Sequence, residues 1–600
     1  MTTNEIAAGE SRERLEANMA RVEELRQRLL NALSQKKSTP TALNGPDNAL
    51  YAKAAHAYVQ EWMHNPAKIL EQQVHYWGRT MTHFVDVQQR LAKGRFAAPE
   101  DPGPTDRRFK NPLWDTHPYF NFIKQQYLIN AQAVAQAIDD IEEMDPKEKR
   151  RLKYFAQQIT DMFAPTNFLA TNPDALMKAL ETEGASLVKG MENLVRDLEA
   201  NNGELVVRLA DEEAFQIGEN IATAEGEVIF RNRMMEVIQY NPTTETVHET
   251  PVVLFPPWIN KFYILDLKPQ NSLIRWIVDQ GYTLFVVSWI NPDKGYADTG
   301  LEDYVEDGFL KAIEIAKDVC KVPKVNAVGY CIAGTTLSLT LSLMKKRGDK
   351  SVKSATFFTA LTDFSDQGEF TPFLQDDFAD GIEQEIDQEG ILPSFIMART
   401  FSYLRSNDLI YGPAIRHYMM GETPPAFDLL YWNGDGANLP GKMFSQYLRG
   451  LCQRNEFAEG TFELLGETLS VRDVDVPLMS IATETDHIAA ARDVYRGVQM
   501  MGSRNKTFVL GQSGHIAGIV NPPSKNKYGH YLNDDLSGDF DAWLDAATEH
   551  EGSWWPIWEA WLKKRSGKQV KARIPGSQTY KPICPAPGTY VKLKAAQQNQ

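Results

Sequence analysis

One stretch of the sequence has the residue types and spacing of a nucleophile on a sharp turn. It is AVGYCIAGT at 327–335, and it lies between an apolar strand-like run and a helix-like run of small residues. Small residues that flank a nucleophile between a strand and a helix predict a nucleophile elbow, with Cys331 lifted clear of the sheet. The backbone N–H of Ile332 would then face a developing oxyanion near a helix N-terminus. Ala333 replaces the usual second glycine, and the alternative is a tight turn around a buried cysteine.

The elbow predicts two further residues in a fixed order, an acid after a later strand and then a histidine. Asp486 follows the apolar run 477–482, and Glu484 is the second choice for the acid. His515 lies in a glycine-flanked loop after the last apolar run, whereas His487 is predicted to be structural. We therefore expect a Cys331–His515–Asp486 triad, in which His515 takes the thiol proton and Asp486 orients His515.

A second oxyanion donor is expected in the loop PPWIN at 256–260, which follows the first strong apolar run. The candidates are the backbone N–H groups of Trp258 and Ile259, and Asn260 is a candidate for substrate binding. The alternative for this loop is a rigid structural turn.

The strands that position these residues are predicted from short apolar runs without polar alternation. Such runs suit strands that are buried on both faces, and their alternation with helices predicts a parallel sheet covered by helices. The runs are PVVLF (251–255), TLFVVSW (283–289), VNAVGY (325–330), SATFFTAL (354–361), PLMSIA (477–482) and KTFVL (506–510). The fold class is therefore α/β.

Three domains are predicted along the chain. Residues 1–50 form a mobile arm and linker, because Leu15 to Leu33 have the spacing of an amphipathic helix and a Pro- and Ser-containing segment follows. Residues 51–204 form a helical, aromatic-rich domain, and residues 205–600 form the α/β domain. A long insertion at about 362–470 breaks the alternation and is expected to cap one end of the sheet.

Composition excludes several classes of function. Of the 600 residues, 43% are hydrophobic, which supports a large core. The 79 acidic and 63 basic residues give a net charge of −16, which argues against nucleic-acid binding. No apolar run is long enough to span a membrane, and the charged N-terminus lacks the core of a signal peptide. The four cysteines and 11 histidines show no ligand spacing, so we predict no metal site.

Long stretches of the chain resemble the polyhydroxyalkanoate synthases over about residues 50–595. The matching stretches are DRRFKNPLW (106–114), APTNFLATNP (164–173), PPWINKFYILDL (256–267), VSWINPD (287–293), FDLLYWNGD (427–435), SGHIAGIVNPP (513–523), GSWWP (552–556) and PAPGTYVK (585–592). The length and the N-terminal block resemble the class I enzymes. The resemblance implies an α/β-hydrolase fold with an inserted cap and a preceding helical domain.

The resemblance also implies a function. The expected activity is polymerisation of (R)-3-hydroxyacyl-CoA into a polyester such as poly(3-hydroxybutyrate), with release of CoA and no further cofactor. A homodimer in the cytoplasm, attached to polymer granules and to granule-associated proteins, is implied as well. Trp432 matches a family position near the active-site entrance, with a core tryptophan as the alternative, and Arg405 resembles a family residue that could order the cap. Both are further candidates for substrate binding.

Two alternatives remain open at this level. One is a hydrolase of the same fold that acts on acyl-CoA or polyester, and the other is a non-catalytic protein of the granule surface. A cysteine favours transfer over hydrolysis, because exchanging one thioester for another keeps the acyl group activated.

Overall fold

The structure is a computed structural model that describes residues 3–36, 50, 52–57, 74, 76–82, 85, 106–142 and 144–595. The chain forms two compact units. The helical unit comprises Met1–Leu209 and Arg399–Pro425, and the sheet unit comprises Ala210–Ala398 and Ala426–Gln600. The first break lies close to the predicted boundary at 204. The assignment of Arg399–Pro425 to the helical unit was not predicted, and it divides the segment 362–470 that we expected to form one cap.

All strands of the described chain lie in the sheet unit. They are β1 (Gly226–Arg231), β2 (Met235–Tyr240), β3 (Thr246–His248), β4 (Val252–Phe255), β5 (Leu284–Trp289), β6 (Val325–Tyr330), β7 (Val352–Phe358), β8 (Ile391–Leu392), β9 (Leu439–Pro440), β10 (Phe462–Leu464), β11 (Glu467–Leu469), β12 (Leu478–Thr483), β13 (Lys506–Gly511), β14 (His530–Leu532), β15 (Thr548–His550), β16 (Gln569–Lys571) and β17 (Cys584–Pro585).

One large sheet organises this unit, in the order β15-β14-β13-β12-β7-β6-β4-β5-β2-β1-β17. The six central strands from β13 to β5 are parallel to one another. They coincide with the six apolar runs of the sequence. The flanking strands are antiparallel.

The flanking strands were missed because their sequences do not have the expected patterns. Strand β2 contains Glu236 and Gln239, yet both side chains are fully buried. Glu236 is paired with Arg231, and it accepts hydrogen bonds from the backbone N–H groups of Thr589 and Tyr590. A segment more than 340 residues further along the chain therefore makes this polar strand compatible with the core.

Helices cover the faces of the sheet and fill the insertion between β7 and β12. The α-helices of the sheet unit are Leu273–Asp279, Leu301–Asp303, Lys311–Cys320, Ile332–Lys346, Asp376–Glu389, Asp428–Gly434, Gly441–Ser445, Glu456–Glu459, Ala491–Met500, Phe540–Asp545 and Trp555–Lys563. The π-helices Tyr304–Leu310 and Gln446–Gln453 complete the set of longer helices. Helix Ser394–Leu404 contains the point at which the chain leaves this unit.

The helical unit has its own core. Its described helices include Thr3–Ser34, Leu113–Thr116, Pro118–Asp139, Pro146–Met162, Pro173–Glu181 and Ala185–Ala200, with Asn407–Tyr411, Gly412–Ala414 and Ile415–Met419 from the second segment. Phe109, Trp114 and Phe120 pack together there, which is the role of the stretch 106–114. Arg108 from the same stretch is paired with Asp106 and Asp161.

The predicted amphipathic helix exists and is longer than expected, Thr3–Ser34. Within the helical unit it lies along helix Ala185–Ala200, where Arg21 pairs with Glu192 and Arg28 pairs with Glu199. Leu25 is buried, whereas Met19, another member of the predicted apolar stripe, is exposed. The predicted linker falls largely on residues 37–49, which lie outside the described residues. In the described part of the chain no helix is long and apolar enough to cross a membrane.

Candidate active site

Cys331 lies on a strained turn between β6 and helix Ile332–Lys346. Its backbone has φ 53° and ψ −127°, a conformation that an L-residue adopts only where the surrounding structure enforces it. Its backbone N–H donates to the carbonyl of Phe358 at 2.7 Å, and its side chain is partly exposed. The turn requires glycine on both sides, because a Cβ on Gly329 would lie 2.7 Å from Cα of Gly334. The chain thus holds this thiol at the end of the central strand.

His515 and Asp486 meet at the ends of the neighbouring strands. The distance between His515 Nδ1 and Asp486 Oδ2 is 2.7 Å, and both side chains are buried. Asp486 Oδ1 accepts the backbone N–H groups of Ile488 and Ala489 at 2.8 and 2.9 Å, which fixes the carboxylate. The other candidate acid, Glu484, is exposed, and the structure pairs His515 with Asp486 instead.

The electrostatics of this pair favour its charged form. Burial alone would lower the pKa of His515, but attraction to Asp486 and Cys331 and hydrogen bonds to both raise it well above its usual value. Burial would raise the pKa of Asp486, but attraction to His515 and three hydrogen bonds lower it below its usual value. The hydroxyl of Tyr330, the residue before the thiol, donates to the carbonyl of His515 at 3.1 Å and positions the histidine loop.

The predicted oxyanion loop is attached directly to the helix that follows the thiol. Trp258 Nε1 donates to Thr336 Oγ1 at 3.1 Å, and Thr336 lies in the second turn of helix Ile332–Lys346. Ile332 is the first residue of that helix, where N–H groups have no partner within the helix. Trp258 and Ile259 lie in a turn, and neither of their N–H groups donates to a backbone carbonyl of the described chain. These groups have the chemistry of oxyanion donors, and that role stays a prediction.

The three predicted substrate-binding residues lie in different surroundings. Asn260 is half-buried in the oxyanion loop. Trp432 is buried in the core of the sheet unit, and its Nε1 donates to the carbonyl of Lys261 at 2.7 Å. Arg405 belongs to the helical unit and its side chain is exposed. The structure therefore brings Trp432 to the loop as a packing residue, and none of the three substrate roles is tested by these contacts.

Sequence reasoning missed a buried charged cluster next to the oxyanion loop. Lys261 Nζ lies 2.7 Å from Asp435 Oδ1, and Lys594 Nζ lies 3.1 Å from the same oxygen. Tyr263 donates its hydroxyl hydrogen to Asp435 Oδ2 at 2.8 Å. Burial, only partly offset by Asp435, lowers the pKa of Lys261 to about 8. The stretches 256–267 and 427–435 contain three of these residues, but the sequence gives no sign that the two stretches meet.

No group of three or more His, Cys, Asp or Glu side chains gathers as a metal site within the described ranges. The absence of a cofactor beyond the substrate stays a prediction.

Comparison with known proteins places the chain in a family. The sequence profile described as "Poly-beta-hydroxybutyrate polymerase (PhaC) N-terminus" matches residues 105–277, and the profile described as "alpha/beta hydrolase fold" matches residues 250–522. A poly(3-hydroxyalkanoate) polymerase of Methylorubrum extorquens is 41% identical over 545 residues, which cover 89% of each chain. The chain belongs to the poly(3-hydroxyalkanoate) polymerase family. The resemblance seen in the sequence is thereby confirmed.

Two further relatives carry the name poly(3-hydroxyalkanoate) polymerase subunit PhaC. That of Rhizobium meliloti is 39% identical and the match covers 89% of this chain and 87% of the relative. That of Cupriavidus necator is 39% identical, with 86% of this chain and 88% of the relative covered. The chain is therefore an acyltransferase of the polymerase type. The predicted α/β-hydrolase fold with a helical N-terminal region is also confirmed.

Proposed function

We propose that the enzyme forms a covalent thioester between Cys331 and the acyl group of (R)-3-hydroxyacyl-CoA. The observation that carries this proposal is the Asp486–His515 hydrogen bond beside a thiol on a strained elbow. His515 takes the thiol proton, the sulfur attacks the thioester carbonyl, and the tetrahedral intermediate expels CoA, which leaves with that proton. The backbone N–H of Ile332 and one N–H of the loop 258–260 stabilise the oxyanion.

Elongation uses the same three side chains. The 3-hydroxyl of an incoming 3-hydroxyacyl group attacks the carbonyl of the thioester on Cys331, and His515 accepts the hydroxyl proton. An ester bond replaces the C–S bond, and the Cys331 sulfur leaves as a thiolate that regains its proton from His515. Asp486 stabilises the imidazolium that forms, and the raised pKa of His515 agrees with that role. Water would compete with the hydroxyl, so the site must exclude water for polymer to form.

The other cysteines of the described chain are poorly suited to the reaction, because the thiolate is the nucleophile. Burial raises the pKa of Cys320 and of Cys452 to about 12. Burial and nearby Glu236 raise the pKa of Cys584 above its usual value.

The test is product analysis with (R)-3-hydroxybutyryl-CoA. The wild type should release CoA and form insoluble polyester, Cys331→Ala should do neither, and Cys584→Ala should behave like the wild type. Release of CoA with free 3-hydroxybutyrate and no polyester would favour the hydrolase alternative. An acyl adduct at Cys584 in a mass spectrum would contradict the assignment of Cys331.

The proposal extends to the setting of the reaction. The active form is a homodimer of the class I type in the cytoplasm, bound to the surface of its own polymer granules and to granule-associated proteins. Sedimentation of the purified enzyme with and without substrate tests the dimer, and fractionation of granules from a producing cell tests the attachment.

A further inference from the structure

The oxyanion loop is held by hydrogen bonds from other segments, and the buried carboxylate of Asp435 lies next to it. Three carbonyl oxygens around it accept hydrogen bonds from outside the loop. Pro256 accepts from Trp289 Nε1 at 2.8 Å, Ile259 accepts from the backbone N–H of Ala437 at 3.3 Å, and Lys261 accepts from Trp432 Nε1 at 2.7 Å.

Two of these three contacts come from the short segment 431–437, which contains the last four residues of helix Asp428–Gly434 and the three residues after it. The same segment carries Asp435, which is 4% exposed. Asp435 also contacts Lys261 Nζ, directly after the loop 256–260, and the hydroxyl of Tyr263, three residues beyond the loop. The segment and the loop are separated by more than 170 residues in sequence.

These contacts set the direction of the loop's N–H groups. In a trans peptide the carbonyl of one residue and the N–H of the next point in opposite directions. Because the carbonyl of Ile259 faces Ala437, the N–H of Asn260 faces away from the segment 431–437. On the opposite flank, Trp258 ties the loop to the helix that Cys331 precedes.

The charges of Lys261, Asp435 and Lys594 determine what the loss of one of these side chains would do to the cluster. Asp435 accepts from two lysines, of which Lys261 is buried and Lys594 is 39% exposed at its side chain. Removing one partner of a buried pair leaves the other charge without compensation, whereas replacing both partners avoids that cost. Losing Asp435 therefore leaves the buried Lys261 without compensation, whereas losing Lys261 leaves Asp435 with Lys594.

We propose that Asp435 and Lys261 are positioning residues that hold the loop 256–261 in the orientation required for oxyanion stabilisation. Neither residue needs to touch the substrate. Lys594, near the end of the described chain, supplies the second cation, so the C-terminal segment contributes to the same support. This inference rests on the proposed function, because it assumes an oxyanion at a carbonyl attacked by Cys331.

The experiment compares Asp435→Asn, Lys261→Gln and the double variant with a matched control, Glu236→Gln. Glu236 is also a fully buried, ion-paired carboxylate of the sheet unit, but its partners are Arg231 and the backbone near Thr589. Each variant is assayed for kcat and KM of CoA release from (R)-3-hydroxybutyryl-CoA, for alkylation of Cys331 by iodoacetamide, and for thermal unfolding.

Each single variant should lose about 10- to 100-fold in kcat, since removing one oxyanion donor costs about 100-fold or more and a displaced donor retains part of its effect. KM should change by less than about threefold, and alkylation, which needs no oxyanion, should keep its wild-type rate. The double variant should recover part of the lost kcat, because it removes both buried charges of the pair together instead of leaving one without its partner.

Three results would overturn the proposal. They are a kcat in Asp435→Asn equal to that of Glu236→Gln, a parallel loss of alkylation and acylation, and a double variant no better than the worse single variant. These outcomes are separate from failure of the proposed function, which would appear as an active Cys331→Ala enzyme or as an acyl adduct at another cysteine.

Discussion

Two helices of this protein are each held against a partner at a glycine, but the partners differ. In the sheet unit, a Cβ on Gly334 of helix Ile332–Lys346 would lie 2.4 Å from Cβ of Ala360, just beyond β7. In the helical unit, a Cβ on Gly190 of helix Ala185–Ala200 would lie 2.0 Å from the carbonyl oxygen of Tyr418. Both contacts leave no room for a side chain at the glycine, but Gly190 meets backbone, whereas Gly334 meets the side chain of Ala360 first and the carbonyl oxygen of Gly329 at 3.1 Å.

The two helices differ in where the polar groups near the glycine find their hydrogen-bond partners. Helix Ile332–Lys346 is buried from Ile332 to Met344, and the hydroxyls of Thr336, Ser338 and Thr340 donate to carbonyls of their own helix. Helix Ala185–Ala200 instead turns polar groups toward its partner. Asn193 donates to the carbonyls of His417 and Glu422, and Asp197 accepts from the Tyr418 hydroxyl at 2.7 Å.

This contrast shows which buried helices can be predicted from their own sequence and which cannot. Three of the five Ser and Thr hydroxyls of helix Ile332–Lys346 donate within the helix, so most of what makes its burial possible is visible in its own residues. A polar face is compatible with burial only if a distant segment supplies the matching donors and acceptors, and nothing in residues 185–200 identifies residues 417–422 as that segment.

The largest effect is expected at the sheet unit's elbow. Cys331→Ala should abolish both acylation and polymer formation, since the thiol is the proposed nucleophile, while the fold is kept because alanine fills most of the same volume. Mass spectrometry of enzyme quenched after one turnover measures the acyl adduct. Residual polymerisation above the background of an empty preparation would mean that chemistry does not depend on this elbow.

Asp486→Asn should lower steady-state polymerisation by about a hundredfold or more, the usual contribution of an oriented base. Single-turnover acylation of Cys331 should suffer less, because a thiol gives up its proton more easily than an alcohol does. Rapid-quench assays of CoA release and of polymer growth separate the two steps. An equal loss in both would contradict this division of labour.

The same pair gives a pH dependence of stability. The raised pKa of His515 contributes stability that is present below about pH 6.5 and is lost as pH rises through its folded pKa. The lowered pKa of Asp486 contributes stability that is present above about pH 4 and is lost as pH falls through its folded pKa. The free energy of unfolding should therefore differ most between wild type and Asp486→Asn from about pH 4 to 6.5, by ~3 kcal/mol. Urea titrations at pH 6 and pH 9 test this, and a difference that grew toward pH 9 would refute it.

In the helical unit, even the single methyl group added by alanine at Gly190 should be destabilising. Gly190→Ala should destabilise that unit by ~3 kcal/mol, because the added methyl meets backbone that cannot move without breaking the Asn193 and Asp197 contacts. Hydrogen exchange of residues 415–422 measures the loss. The control is Gly78→Ala, where a Cβ meets nothing within 4 Å and protection should stay unchanged. Equal protection in both variants would show that the close contact is not constraining.

The smallest effects are expected at the first helix, which is joined to Ala185–Ala200 by ion pairs with exposed side chains. Arg28→Gln should lower the free energy of unfolding by at most ~1 kcal/mol, and this effect should vanish at high salt.

Deleting residues 1–50 should leave single-turnover acylation of Cys331 close to the wild-type rate, whereas deletion to about residue 200 should impair granule attachment or self-association. Co-sedimentation with polymer granules compares the two deletions, and loss of acylation in the shorter one alone would count this helix as part of the active site.

Local sequence patterns predict the six central strands, the elbow and the order of Cys331, Asp486 and His515. Each of these is encoded locally, by an apolar run of strand length and by the small or glycine residues that end it. Contacts between distant segments, by contrast, bring Asp486 Oδ2 to 2.7 Å from His515 Nδ1 and bring Trp432 and Asp435 to the loop 256–260 and the adjoining Lys261. They also bury the polar strand β2 and place Arg399–Pro425 in the helical unit. The physical reason is that a polar group is placed by its partner, and these partners lie from 29 to more than 350 residues away along the chain.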